Sequence, residues 1–155
     1  MKKQTHIFRM LFYSVFIIFT VNSCALKPVN MDASFTKFTL EKVDLNDLGN
    51  GKVLFYNGSD VLHNLDNTGR LNIWIDKKVV GQIKPKEYLI LSLQNGNYLL
   101  TLLHIDVVKM KKDFNVEITN KTKVIRIEPT ITSNKLTITN ELPKNFDKFK
   151  YVGDN

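Results

Sequence analysis

The chain predicts an all-β fold, an antiparallel β-sandwich of about seven or eight strands set behind a cleaved N-terminal segment. Three observations lead there. From Lys52 to about Asn140 apolar residues recur with a period of two rather than 3.6. Turn-forming residues interrupt this pattern every 8–12 residues or so, and no stretch carries a sustained helical stripe. Strands that bury a single face need a second sheet to bury it against, so the core must lie between two layers. The 155 residues are 43% apolar and 24% charged, enough for one ordinary domain and unlike a disordered chain. A single cysteine excludes an internal disulfide framework, a CxxC redox pair and a multi-cysteine zinc site.

The first element is a targeting signal. Lys2, Lys3 and Arg9 form a positive start with no acid among them, and Met10–Val21 (MLFYSVFIIFTV) carries no charge. As a helix that run would reach roughly 18 Å, against a hydrocarbon core of about 30 Å, which is the size of a signal-peptide core rather than a membrane span. Val21-Asn22-Ser23-Cys24 resembles a bacterial lipobox, in which a peptidase cuts before a cysteine whose sulfur and new amino group are acylated. Val21 and Ser23 match; Asn22 departs from the small or aliphatic residue usual there. Residues 1–23 are therefore expected as a lipoprotein signal peptide and Cys24 as the lipid-attachment residue, with the membrane as partner. An ordinary cleaved signal, an uncleaved anchor from Met10 to Leu26 and a buried core helix of a cytosolic protein are the alternatives. Cleavage removes Lys2, Lys3 and Arg9 and no acid, so the net charge falls from +7 to +4.

Residues 24–50 read as a tether, with Phe35, Phe38, Leu40 and Val43 as a loosely attached first strand. The β-sandwich domain is expected over 51–142. Its strands are Val53–Tyr56, Leu71–Ile75, Val79–Ile83, Tyr88–Leu93, Tyr98–Ile105, Phe114–Ile118, Val124–Ile127 and Leu136–Ile138. Asp76-Lys77-Lys78 joins two of them as a hairpin, and Asn95-Gly96 is the pair favoured in tight turns. Tyr98–Ile105 is nearly continuous in apolar character and reads as a central strand buried on both faces. Residues 143–155 are a tail in which cations and aromatics alternate.

Candidate chemistry is sparse. Ser59, Asp60, His63 and Asp66 fall close together, but Asp-x-x-His-x-x-Asp is a weak pattern and reads as a solvated loop. His104 beside Asp106 reads as a satisfied sheet histidine. No catalytic residue, metal site or cofactor is assigned. Asn57-Gly-Ser59 and Asn120-Lys-Thr122 match the glycosylation triplet and read more simply as turns. Trp74 alternates out of phase with Leu71, Ile73 and Ile75; it is expected to pack under the other sheet, with an exposed contact patch as the alternative. Lys77-Lys78, Lys84-x-Lys86 and Lys109-x-Lys111-Lys112 are too short and scattered for a nucleic-acid surface. They suit turn and edge positions, with attraction to anionic lipid or peptidoglycan as the second reading.

Ile73-Trp-Ile-Asp-Lys-Lys-Val-Val-Gly81-Gln-Ile83, Tyr88 and Asn95-Gly96-Asn97-Tyr98 together resemble bacterial lipoprotein sandwich domains of unknown function of the PEGA type. Asp76, Gly81, Tyr88 and Gly96 match; Asn95 stands where proline is usual and Tyr98 where histidine or a similar residue is usual. The resemblance covers about a third of the chain. It implies a sandwich fold and an envelope location, and no reaction. The functional expectation is a non-catalytic, lipid-anchored binding or structural protein with a possible envelope protein partner, including an accessory role in a secretion or envelope assembly or an immunity-type role. A small-ligand carrier or weak hydrolase using the Asp60–Asp66 loop or His104 is the competing class.

Overall fold

The structure, a computed structural model, describes residues 26–59 and 68–152. Over them the chain forms nine strands: β1 (Lys52–Asn57), β2 (Leu71–Ile75), β3 (Lys78–Ile83), β4 (Glu87–Ser92), β5 (Gly96–Ile105), β6 (Lys109–Ile118), β7 (Val124–Thr130), β8 (Ser133–Ile138) and β9 (Lys150–Tyr151). They build two sheets, β8-β7-β1-β4-β9 and β3-β2-β5-β6. The all-β sandwich is as the sequence predicts. The eight strands read within 51–142 are all present, and the ninth lies in the stretch read as a tail. The first strand expected around Phe35–Val43 does not form, that stretch making only an isolated bridge from Lys37 to Leu91.

The core lies between the sheets. Val53, Phe55, Leu89, Leu91, Ile125 and Ile127 of the five-stranded sheet meet Leu71, Ile73, Ile75, Leu100, Leu102 and Ile118 of the other, all essentially excluded from solvent. Each set follows the alternation of its strand, because successive side chains point to opposite faces.

Two pairings depart from a purely antiparallel sandwich. β1 runs parallel to β7, with Phe55 opposite Ile125, and β4 runs parallel to β9, with Tyr88 opposite Tyr151. The cause is how the chain travels between pairings: β2–β3 and β5–β6 are hairpins within one sheet, so β4 and β7 each return to the other sheet from a separate crossing, and β9 reaches the far edge of β4 from β8 over the sheet's outer face. Asp76 and Lys77, at φ 50° and 67°, close the β2–β3 hairpin as expected; a two-residue turn of the primed type needs both positive. Asn95-Gly96 does not close a hairpin, since β4 and β5 belong to different sheets.

The outer edge of β4 is already taken. Thr36–Phe38 occupies it at one end, where Phe38 N–H donates to Ile90 C=O (3.0 Å) and Ser92 N–H to Thr36 C=O (3.1 Å). β9 occupies the other, where Val152 N–H donates to Tyr88 C=O (2.9 Å). An open edge is a template for aggregation, and these two segments close it. They also cover the outer face of the five-stranded sheet. Phe38, Leu40, Val43 and Leu45 from the segment read as a tether, Leu142 at the end of the expected domain, and Phe146 and Phe149 from the tail pack on Leu54, Tyr56, Tyr88 and Ile90.

The segment after residue 25 is bonded to the four-stranded sheet as well. Gln82 Nε2 donates to Leu26 C=O (3.1 Å), Asn72 Nδ2 to Lys27 C=O (3.0 Å), and Asp32 N–H to Val79 C=O (2.8 Å). The chain thus runs along β3 from its end toward its start. Physically, residues 26–50 carry enough apolar side chains to bury, which a free spacer would leave in water.

Candidate functional site

β2, β5 and β6 present one face to the core and one outward. The registers Trp74↔Thr101, Asn72↔Leu103 and Leu103↔Lys111 place these side chains together on the outer face. Trp74 therefore does not pack under the other sheet. Its neighbours Ile73 and Ile75 take the inward positions, and alternation sends it out. It is half-buried and, with Lys77, Thr101, Leu103 and Lys111, lines a groove of about 380 Å³. Thr101 Oγ1 donates to Asp113 Oδ1 (2.6 Å), fixing one wall. β5 is central, as predicted, but its outer positions Leu99, Leu103 and Ile105 are only half-covered. The groove offers a rigid aromatic, an aliphatic floor and two ammonium groups, a composition suited to holding a partner side chain or peptide.

A second, larger cleft of about 640 Å³ opens where the tail crosses the five-stranded sheet, lined by Tyr56, Lys86, Arg126, Lys144, Lys148 and Phe149 among others. Arg126 Nη2 donates to Gly58 C=O (3.0 Å), and its guanidinium pairs with Glu128, which Lys135 also approaches (3.5 Å). Burial raises the Tyr56 phenol above its ordinary value, with Arg126 opposing and Glu128 adding to the rise. Most ionisable groups at the rim are cations, so the cleft favours an anion over a neutral ligand.

The residues singled out by sequence scatter. Cys24, Asp60, His63 and Asp66 lie outside the described residues. Ser59 is held by the side chain of Asn57. That asparagine is itself buried, with Nδ2 donating to Gly69 C=O (2.6 Å) and Ile83 C=O (3.0 Å), which ties the end of β1 to the end of β3 and to the turn that leads into β2. His104 is wholly buried, and its Nδ1 meets Asn134 Oδ1 at 2.8 Å. Asn134 Nδ2 donates to Met110 C=O (2.8 Å) and Leu102 C=O (3.2 Å), so its oxygen is left to accept and His104 Nδ1 carries the hydrogen. The imidazole is thus oriented by the sheet interior and does not line either opening. Among the described residues no three His, Cys, Asp or Glu side chains gather to hold a metal ion, and no helix is long and apolar enough to cross a membrane.

The Trp74 groove was legible only in part. Alternation points Trp74 outward, but nothing in β6 announces that Lys111 faces Leu103. Comparison with known proteins finds no matching family model, curated protein or solved structure.

Proposed function

We propose that this chain is a lipid-anchored protein of the bacterial cell envelope, held on a membrane through acylated Cys24, that binds a protein partner and performs no catalysis. The observation that supports a binding role is the Trp74 groove, an open aromatic surface on a rigid sheet with Lys77 and Lys111 beside it. Buried aromatics flanked by polar groups supply most of the energy of protein interfaces. An accessory role in a secretion or other envelope assembly is one form of this reading.

The test is photo-crosslinking in intact cells from position 103, beside Trp74, and from position 95 at a distant turn. A discrete heterologous adduct from 103, lost in Trp74→Ala and absent from 95, is the expected result. Recovery of the uncrosslinked chain alone from both positions under several growth conditions overturns the reading.

The cationic cleft beside Tyr56 favours a second reading, binding of a small anionic ligand. Titration with inorganic phosphate and with a short acidic peptide tests it by calorimetry. Saturable heat that Lys148→Glu abolishes supports it, and absence of heat from both probes removes it.

A further inference from the structure

We propose that one end of the sandwich, formed by the β5–β6 and β7–β8 turns, is a second membrane contact that seats the body upright on the bilayer to which Cys24 is attached. The inference rests on the lipid-anchor reading for where the bilayer lies, and on the following geometry for what meets it.

The registers gather particular turns at this end. β5 finishes and β6 begins there, with Ile105 opposite Lys109. β7 finishes and β8 begins there too, since β7 runs parallel to β1 and Thr130 faces Ser133. β2 starts at the same end, because Asn72 lies opposite Leu103. The buried Asn134 amide joins the two hairpins into one unit through Leu102 and Met110.

Among the described residues the large apolar side chains standing furthest into solvent are Val107 (92% exposed), Ile131 (74%) and Val108 (56%), and all three are at this end. Packing among the described residues leaves them uncovered. Lys109, Lys111 and Lys112 follow the valines directly and are exposed, and Lys86 lies in the β3–β4 turn at the same end. Apolar tips backed by ammonium groups match the boundary of an anionic bilayer, where side chains enter roughly 5–10 Å and lysines meet phosphates.

The chain itself says what covers the patch. Leu26 and Lys27 are bonded to Gln82 and Asn72, each one residue inside the ends of β3 and β2 that lie here, and from there the chain runs away along β3. Cys24 is two residues upstream of Leu26, and backbone reach keeps it within about 7 Å of that residue. The acyl chains would therefore enter the bilayer beside the exposed valines. A spacer that swung freely would impose no such coincidence.

The full chain, expressed in a bacterium and purified from whole cells in detergent, is reconstituted into vesicles of phosphatidylethanolamine and phosphatidylglycerol carrying a nitroxide on the lipid headgroup. Val107→Cys, Ile131→Cys and Lys121→Cys variants are labelled with a fluorophore. Lys121 is in the turn at the opposite end, and a ten-residue strand holds the two ends roughly 30 Å apart. Quenching at 107 and 131 several-fold above that at 121 is the expected result, and Val107→Asp/Val108→Asp should abolish it at 131. Equal quenching at all three positions overturns the proposal. The parent protein decides the anchor separately, because its one cysteine takes label only if it is not acylated. Labelled parent with 107 still quenched refutes the anchor and upholds the contact; labelled parent with no quenching anywhere refutes both.

Discussion

Replacing Asn134 by alanine should loosen the sandwich far more than its position near a turn suggests. The residue is 2% exposed and makes three hydrogen bonds, two donated to strand carbonyls and one accepted from His104, itself wholly buried. A neutral hydrogen bond contributes about 0.5–1.5 kcal/mol net, and a buried donor left unmatched costs about 1–3 kcal/mol. The two carbonyls belong to ladder strands and lose one bond each, whereas His104 Nδ1 loses the partner that orients it. Together these give a loss of about 2–4 kcal/mol, or a fall in Tm of about 6–12 °C for a chain of this size. Urea unfolding, with the slope unchanged and the midpoint lowered, measures it. Asn134→Asp is the sharper variant: nearly the same shape, but an ionised carboxylate cannot donate to Met110 or Leu102, so it should cost at least as much. An aspartate variant within about 0.5 kcal/mol of the parent would refute the reasoning, since that is the spread of an uninvolved surface change.

Gly49→Ala should destabilise by about 1–2 kcal/mol, because φ is 93° there and a Cβ would meet Asn120 C=O at 2.9 Å; an unchanged urea midpoint would contradict this. Phe149→Ala should cost about 1–2 kcal/mol and open the tail to limited proteolysis, since the ring meets Tyr56 edge-on at 5.7 Å; a tail still resistant to protease would count against its packing role. The Tyr56 phenol should ionise above its ordinary value near 10, chiefly because it is buried. The folded state holds that proton more tightly than the unfolded chain does. The stabilisation is complete below about pH 10 and is lost as pH rises through the folded-state value. An ultraviolet titration in which Tyr56→Phe removes a late-ionising tyrosine checks it, and loss of an ordinary one refutes it.

Local pattern carried most of the fold and little of the site. The alternation of Leu71, Ile73 and Ile75, or of Leu89 and Leu91, states which face is core, because the pleat leaves no other arrangement. What alternation cannot state is which strand a given edge will meet. Asn95-Gly96 has the chemistry of a tight hairpin, yet β4 already had β1 on one side and Thr36–Phe38 with β9 on the other. β6 begins at Lys109, five residues before its first large apolar side chain after Met110, because its charged half pairs with β5 while facing water. The roles of residues 26–50 and 143–152 depend on the same long-range facts. Phe38 and Phe149 look like stray aromatics until the outer face of β1 and β4 needs a cover. In the site, the expectation that a lone tryptophan belongs in the core misplaces Trp74 despite the alternation of its own strand, and Lys111 and Leu103 become its neighbours only through registers between three strands.

The most direct measurement is the mass of the mature N-terminus together with membrane fractionation of the parent and Cys24→Ser. Each acyl chain adds about 0.8 kcal/mol per buried methylene, and two or more hold a protein stably on a bilayer. The account predicts a parent that begins at Cys24, carries acyl chains and sediments with membranes, and a serine variant that does not sediment. A parent that begins upstream of Cys24, or that bears an unmodified thiol there, would contradict it.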